Sequence, residues 1–238
     1  MKKMIAAAAF AAAWPSLAHA DPGQAGEVYG ATVTAGQTEL EARYGELDGG
    51  SADGRSKLKL EGAYGVNDRL RLGLVGEVER TPGTSSEFTS LGFEAIYSLG
   101  KVGPVDIALY GEYEAKFDGA DKVESKLLMQ HKSGPLDLRF NLIAEKELEA
   151  SEPVELEYAA SADVEAVGEI RLGVQAYGQL GGFSRFLPRG GHYVGPVAKI
   201  EIEGLGPETS LGVGYLFALG AAKDNADGQF RLTAEVEF

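Results

Sequence analysis

Charged side chains recur at every second position in many stretches of this 238-residue chain. Glu39, Glu41 and Arg43 are spaced two apart, as are Lys57, Lys59 and Glu61, and Glu112 and Glu114. A spacing of two places side chains on one face of a β-strand. Rows of this kind can do electrostatic chemistry: an excess of carboxylates lowers the energy of cations and raises that of anions. The basic candidates for such a surface are Arg43, Lys59, Arg71, Lys126, Arg139, Arg171, Lys199 and Arg231. Acidic candidates are Glu61, Glu77, Glu94, Glu112, Glu114, Glu145, Glu157, Glu201 and Glu235. The other reading of the same residues is that Arg and Glu pair across neighbouring strands and serve as a closed polar filling. A second kind of chemistry is nucleophilic. His131 and Ser133 lie two apart and could act as base and nucleophile, but no third partner is evident, so His131 also reads as an interfacial polar residue. His192 has no metal-ligand partner at close spacing, and glycine-rich phosphate loops are absent, since the glycines fall in turns and strand kinks. No cofactor, metal site or catalytic site is expected.

The elements that must carry these residues are strands. Period-2 alternation of apolar and polar residues marks about twelve segments, over 39–47, 56–64, 69–79, 88–99, 105–117, 122–132, 136–148, 154–164, 169–180, 192–202, 209–219 and 229–238. Their lengths suit strands that cross a bilayer at a tilt. Connections alternate as well. One set (66–68, 100–104, 133–135, 166–168, 204–208) is tight and rich in Gly, Pro, Asn or Asp, as hairpin turns require. The opposite set, including 48–54, 81–86, 181–191 and 220–228, is longer and more polar.

Residues 1–20 read as a cleaved secretory signal: Lys2 and Lys3 precede an apolar run from Met4 to Trp14, and Ala18-His19-Ala20 is a small-x-small cleavage site. The run is shorter than the roughly 20 residues a membrane helix needs. No Cys occurs, so neither disulfides nor an acylated cysteine anchor is expected. Without Lys2 and Lys3 the 22 basic residues fall to 20 against 36 acidic ones, a net charge of −16 that excludes nucleic acid as a partner. Residues 21–37 are expected to form a flexible periplasmic lead-in, and 38–238 the strand-rich body.

The chain ends QFRLTAEVEF, with Phe230, Leu232, Ala234, Val236 and Phe238 on one face. A cleaved signal, strand-length alternating segments and this terminal strand resemble the Gram-negative outer-membrane β-barrel class, porins included. The resemblance implies insertion by the barrel-assembly machinery, with Phe230, Leu232, Val236 and Phe238 as the signal it reads. Within that class, KLKLEGAYGVNDRLRLGLVGE (57–77) and GHYVGPVAKIEI (191–202) are similar to strands of small transporter-like barrels associated with the meta-pathway of phenol degradation. The His-x-Ser spacing at 131–133 is similar to that of the outer-membrane phospholipase family, which works in the outer leaflet. Here the pair falls beside a short periplasmic turn.

The expected fold is therefore all-β, a single antiparallel up-and-down transmembrane barrel of about twelve strands. In 136–145, Leu136, Leu138, Phe140, Leu142 and Ala144 share one side, and Asp137, Arg139, Asn141 and Glu145 the other. A cation on the lipid face costs roughly 2–4 kcal/mol at the midplane, so the charges must point inward and the candidates above line the lumen. A soluble barrel or sandwich would reverse the two faces, and alternation alone does not separate them. Tyr44, Tyr64, Tyr97, Tyr158 and Tyr215 fit an interfacial girdle. Pro196 cannot donate to a closed ladder and predicts a bulge. The loop with Phe183, Arg185, Phe186 and Arg189 faces outward, toward lipopolysaccharide phosphates or into the lumen as a constriction. The functional expectation is a porin-like channel or transporter for small solutes in the bacterial outer membrane, acidic inside and cation-preferring. The competing expectations are a closed structural barrel and, more remotely, a lipid hydrolase.

Overall fold

The computed structural model describes residues 23–202 and 206–238. The expected signal over 1–20 and its cleavage site lie outside the described residues, as does part of the turn at 204–208. Strands run in chain order: β1 Thr38–Asp48, β2 Ser56–Asn67, β3 Leu70–Arg80, β4 Glu87–Val102, β5 Val105–Lys116, β6 Lys122–Ser133, β7 Leu136–Glu147, β8 Glu155–Val167, β9 Ile170–Gly182, β10 Arg185–Phe186, β11 Gly191–Ile202, β12 Glu208–Gly220 and β13 Gly228–Glu237. Twelve are long. The two-residue β10 folds back on the end of β9 within a loop.

Every long strand pairs antiparallel with its neighbours, β9 pairs both β8 and β11, and β13 pairs β1 with Leu40 opposite Val236. The sheet is thus closed, and no long strand leaves an unpaired edge, which is the condition for crossing hydrocarbon with strands. Phe238 and Thr38 exchange backbone bonds of 2.9 and 3.2 Å, so the end of the last strand meets the start of the first at one rim. The short turns lie at that rim, which the barrel rule makes the periplasmic one.

The two faces divide as alternation requires. Leu40, Leu74 and Phe93 point outward and are 52%, 56% and 51% exposed, whereas Arg43, Glu61 and Glu94 are 2%, 4% and 0% exposed. Apolar side chains outside and charges inside is the reverse of a soluble barrel, and only a lipid surround makes it stable.

Two expectations require correction. Around Pro196 the β11–β12 ladder lapses at Gly195 and Pro196, but Val194 opposite Phe217 and Val197 opposite Gly214 keep one register, so no extra residue bulges out. The missing proline donor is absorbed as a gap in an otherwise regular pair, and bulges fall elsewhere, as at Gly65/Asn67 and Ser98/Gly100. Residues 23–37, expected as a flexible periplasmic lead-in, lie inside the barrel. Their backbone is held by lumen side chains, among them Asn141 and Gln130 from β7 and β6. The wall is shaped for them: a Cβ on Gly65 would stand 1.9 Å from the Thr34 carbonyl oxygen, and one on Gly45 would stand 2.7 Å from the Ala25 nitrogen.

Candidate functional site in the barrel lumen

Inward positions of β1 to β7 carry dense clusters of paired charges. Arg43 lies 2.6 Å from Glu27 and 2.9 Å from Glu61, and also bonds Glu41. Arg71 reaches Glu39 at 2.9 Å and Glu94 at 2.8 Å, and also bonds Glu61. Toward the outer end, Glu77 takes Lys57 at 2.7 Å and Lys59 at 3.2 Å. Lys122 there joins Glu114 at 2.8 Å and Glu145 at 3.2 Å. Lys126 pairs with Glu124 at 2.9 Å and lies over the rings of Tyr29 and Tyr110. Buried ions persist only when paired and hydrogen-bonded, which explains why acid and base alternate so densely.

The other half of the wall, β8 to β13, is different. Arg171 pairs with Asp163 at 2.5 Å and Glu165 at 2.9 Å, and Lys199 with Glu235 at 3.2 Å. Arg139 pairs with Asp137 at 3.1 Å on β7. Between this wall and residues 26–37 lies a cavity of about 510 Å³ that reaches the periplasmic rim at Gln37, Gly134, Leu136 and Glu237. Arg43, Arg71, Arg139, Arg171, Lys199, Glu201, Arg231 and Glu235 line it. Lys59, Glu61, Glu77, Glu94, Glu112, Glu114, Lys126, Glu145 and Glu157 do not, and they sit instead in the charged clusters or beside them. Phe230 and Leu232 are on the outer surface at 38% and 44% exposure, in line with Val236 and Phe238 on the terminal strand.

Sequence reasoning missed the groups that organise this interior. Tyr29 is 4% exposed and stacks near Tyr110 with ring centroids 4.9 Å apart. Its hydroxyl donates to Glu94 at 3.1 Å, and the Tyr110 hydroxyl lies 2.9 Å from Glu94 and 2.7 Å from Glu112. Buried between the Glu61 and Glu94 carboxylates, the Tyr29 phenol can only donate to them. Farther out, Val28, Leu47, Ile143, Tyr177, Tyr193 and Leu216 form an apolar septum with Ala52 and Ala222 of the external loops. The cavity lining ends at the level of this septum, at Val28, Gln175 and Arg231. A signal for it was present: Tyr177, Tyr193, Leu216 and Ala218 occupy the face that elsewhere is charged.

Two groups of three carboxylates, Glu27–Glu41–Glu61 and Glu39–Glu235–Glu237, have oxygens within 4.8 Å of one another. Arg43 already occupies the centre of the first, and Lys199 and Gln37 bond the second, so protein cations and donors take the place a metal would fill. His131 Nδ1 lies 2.8 Å from the Pro104 carbonyl, and His192 Nδ1 lies 3.4 Å from the Tyr158 hydroxyl. Neither contact orients a base toward Ser133. In the external loop, Arg189 is bonded to Asp224 at 2.9 and 3.0 Å, while Phe183 and Phe186 are exposed.

A closed twelve-strand barrel, greasy outside and charged within, defines a transmembrane protein of the Gram-negative outer-membrane type. Among solved structures it is similar to the NanC porin, with TM-score 0.57 and 9% identity over 84% of this chain and 98% of that one. It is likewise similar to the KdgM porin, with TM-score 0.54 and 11% identity over 84% and 98%. An outer-membrane channel from Pseudomonas putida F1 gives 0.54 and 12% over 86% and 96%. At these identities the likeness is one of fold. No family model and no curated protein matches the sequence, so the resemblance of 57–77 and 191–202 to phenol-pathway barrels rests on those segments alone.

Proposed function

We propose that the chain is a porin-like pore of the outer membrane for small solutes, held closed in the conformation described, with a cation-preferring periplasmic vestibule. The observation that carries this reading is the eccentric polar cavity, which enters from the periplasmic rim and runs to mid-barrel beside a segment that belongs to no strand. Ten acidic side chains line it against seven basic ones, and Glu201, Glu208 and Glu237 cluster toward its mouth, so its field favours cations and small basic solutes. One KdgM structure is described in complex with oligogalacturonate. That solute carries a carboxylate on each sugar, which this acidic vestibule would repel.

A second reading, a closed barrel with a structural or interaction role, draws on the apolar septum and the paired charges across β1 to β7. Conductance of the purified protein in planar bilayers separates the two. Discrete openings with a reversal potential displaced toward potassium under a KCl gradient support the pore. A flat trace both from the assembled protein and from an assembled variant lacking residues 23–35 rejects it, and displacement toward chloride rejects the cation preference. Export over 1–20, delivery by the barrel-assembly machinery through Phe230, Leu232, Val236 and Phe238, and contact of the outer loops with lipopolysaccharide complete the proposal.

A further inference from the structure

Residues 23–35 are held through side chains, with Glu27 paired to Arg43 at 2.6 Å and the Gln24 amide donating to the Arg55 carbonyl at 3.0 Å, and through their backbone as well. Asn141 accepts from the Tyr29 N–H at 2.8 Å and donates to the Tyr29 carbonyl at 3.0 Å. Gln130 accepts from the Ala31 N–H at 3.1 Å, and Arg139 donates to the Val28 carbonyl at 3.2 Å. Tyr177 donates to the Gly26 carbonyl at 3.2 Å, and Arg231 bonds the Gly23 and Gly26 carbonyls. These backbone contacts all come from the tips of side chains. No strand pairs with the segment, so it can leave without breaking the ladder that closes the barrel.

Position makes the segment more than filling. Val28 belongs to the apolar septum, while Tyr29 fills the slot between Tyr110, Lys126 and the Glu61 and Glu94 carboxylates. The inner edge of the cavity is formed by Gly26, Glu27, Val28, Tyr29, Gly30 and Thr32. One short stretch therefore blocks both the septum and the middle of the lumen. At its lower end Gly36 has φ of 80° and open space around it, and the adjoining backbone is tied to the rim by Gly36 N–H to Gly65 O at 2.7 Å and Gly65 N–H to Gln37 O at 2.9 Å. A glycine in the left-handed region next to a tethered strand start is a natural pivot.

We propose that residues 23–35 are the gate of this pore: they swing about Gly36 toward the periplasm, taking Val28 out of the septum and Tyr29 out of its slot, and so join the vestibule to the outer mouth. This rests on the pore reading above. Asn141 and Tyr29 are its latch, because the first holds both backbone polar groups of one residue, Tyr29, and the second fills the slot beside Tyr110.

The test uses the full-length mature protein in planar bilayers, with assembly checked by the mobility of the unheated barrel in SDS gels. Asn141→Ala strips two buried backbone groups of their partner, and Tyr29→Ala empties the slot. Each is expected to raise open probability about tenfold. A Gly30→Cys, Gln130→Cys pair uses the absence of any native cysteine; an ideal Cβ at 30 meets only the tip of Gln130, at 3.6 Å from Cδ, so the two shorter thiols are joined by a short bis-methanethiosulfonate reagent rather than by a direct disulfide. Bridging that pair is expected to abolish openings and reductant to restore them. If the wild type conducts and the verified cross-link changes nothing, the gate is rejected while the pore stands. If wild type and a 23–35 deletion are both assembled and both silent, pore and gate fall together.

Discussion

Arg43→Met is the sharpest test of what holds this interior. The guanidinium side chain is 3% exposed, with Glu27 at 2.6 Å and Glu61 at 2.9 Å, and Glu41 bonded as well. At 2.9 Å and an effective dielectric constant near 20, one such pair is worth about 6 kcal/mol before desolvation. Desolvation of the ions offsets most of that, so the intact cluster adds little net stability. Removing the cation is another matter, since it leaves Glu27 and Glu41 without their ion-pair partner beside Glu61, which keeps Arg71, at a cost of about 3–5 kcal/mol. Methionine matches the volume, so packing loss is a minor part. Urea titration of the protein folded in phosphatidylcholine vesicles, followed by gel mobility of the folded form, should show a loss of that size. Adding Glu41→Gln should recover part of it, because Glu41 has Arg43 as its ion-pair partner. A loss below 1 kcal/mol, or a double variant no better than the single, would mean that water already screens the cluster and that the ion-pair argument for the lumen is wrong.

Other substitutions address separate claims. Leu74→Arg places a cation on the lipid face, where Leu74 is 56% exposed, and should lower stability in vesicles by about 2–4 kcal/mol, against little change for the inward, rim-exposed Lys132→Ala. Glu201→Gln with Glu237→Gln removes two vestibule carboxylates and should move the reversal potential toward chloride; an unchanged potential would place ion selection elsewhere. Deleting Phe238 should reduce assembly in cells while leaving refolding in detergent intact, and equal loss in both would mark a stability effect rather than a recognition signal. Phospholipid hydrolysis should be undetectable and insensitive to His131→Ala; activity lost on that change would restore the hydrolase reading.

How far the fold could be read from the sequence differs sharply by region. Strands were legible because alternation is local: each of the long strands repeats its inside-outside decision over 10 to 16 residues, and a one-residue slip would turn every charge to lipid. Observed strands extend the expected segments mostly by one to three residues, into turns where the pairing continues past the apolar pattern. Lumen contacts were less legible. That Arg43 or Glu94 points inward follows from parity, but which of several carboxylates Arg71 meets depends on register between β1, β2, β3 and β4.

The interior segment shows where such reading stops. DPGQAGEVYGATVTAGQ is small, polar and without period, the composition that normally marks a flexible lead-in. The order of its described residues, 23–37, comes from elsewhere in the chain, since Asn141 and Gln130 lie 112 and 99 residues from the backbone they hold. Those amides look like ordinary lumen polarity until the barrel has closed and brought them together. The same small residues that made 23–37 look unstructured are what let it fit, because Gly26, Gly30 and Ala31 allow the backbone to approach side-chain tips that a bulkier chain would keep away. Low complexity in a short segment ahead of a barrel therefore has two physical outcomes, and the deciding quantity is the hydrogen-bonding capacity that closure leaves spare on inward amide and guanidinium groups. Here Asn141, the Gln130 side-chain oxygen and Arg231 supply it, while the Gln130 nitrogen is taken by Asp137, and the segment supplies the carbonyls and amides they need.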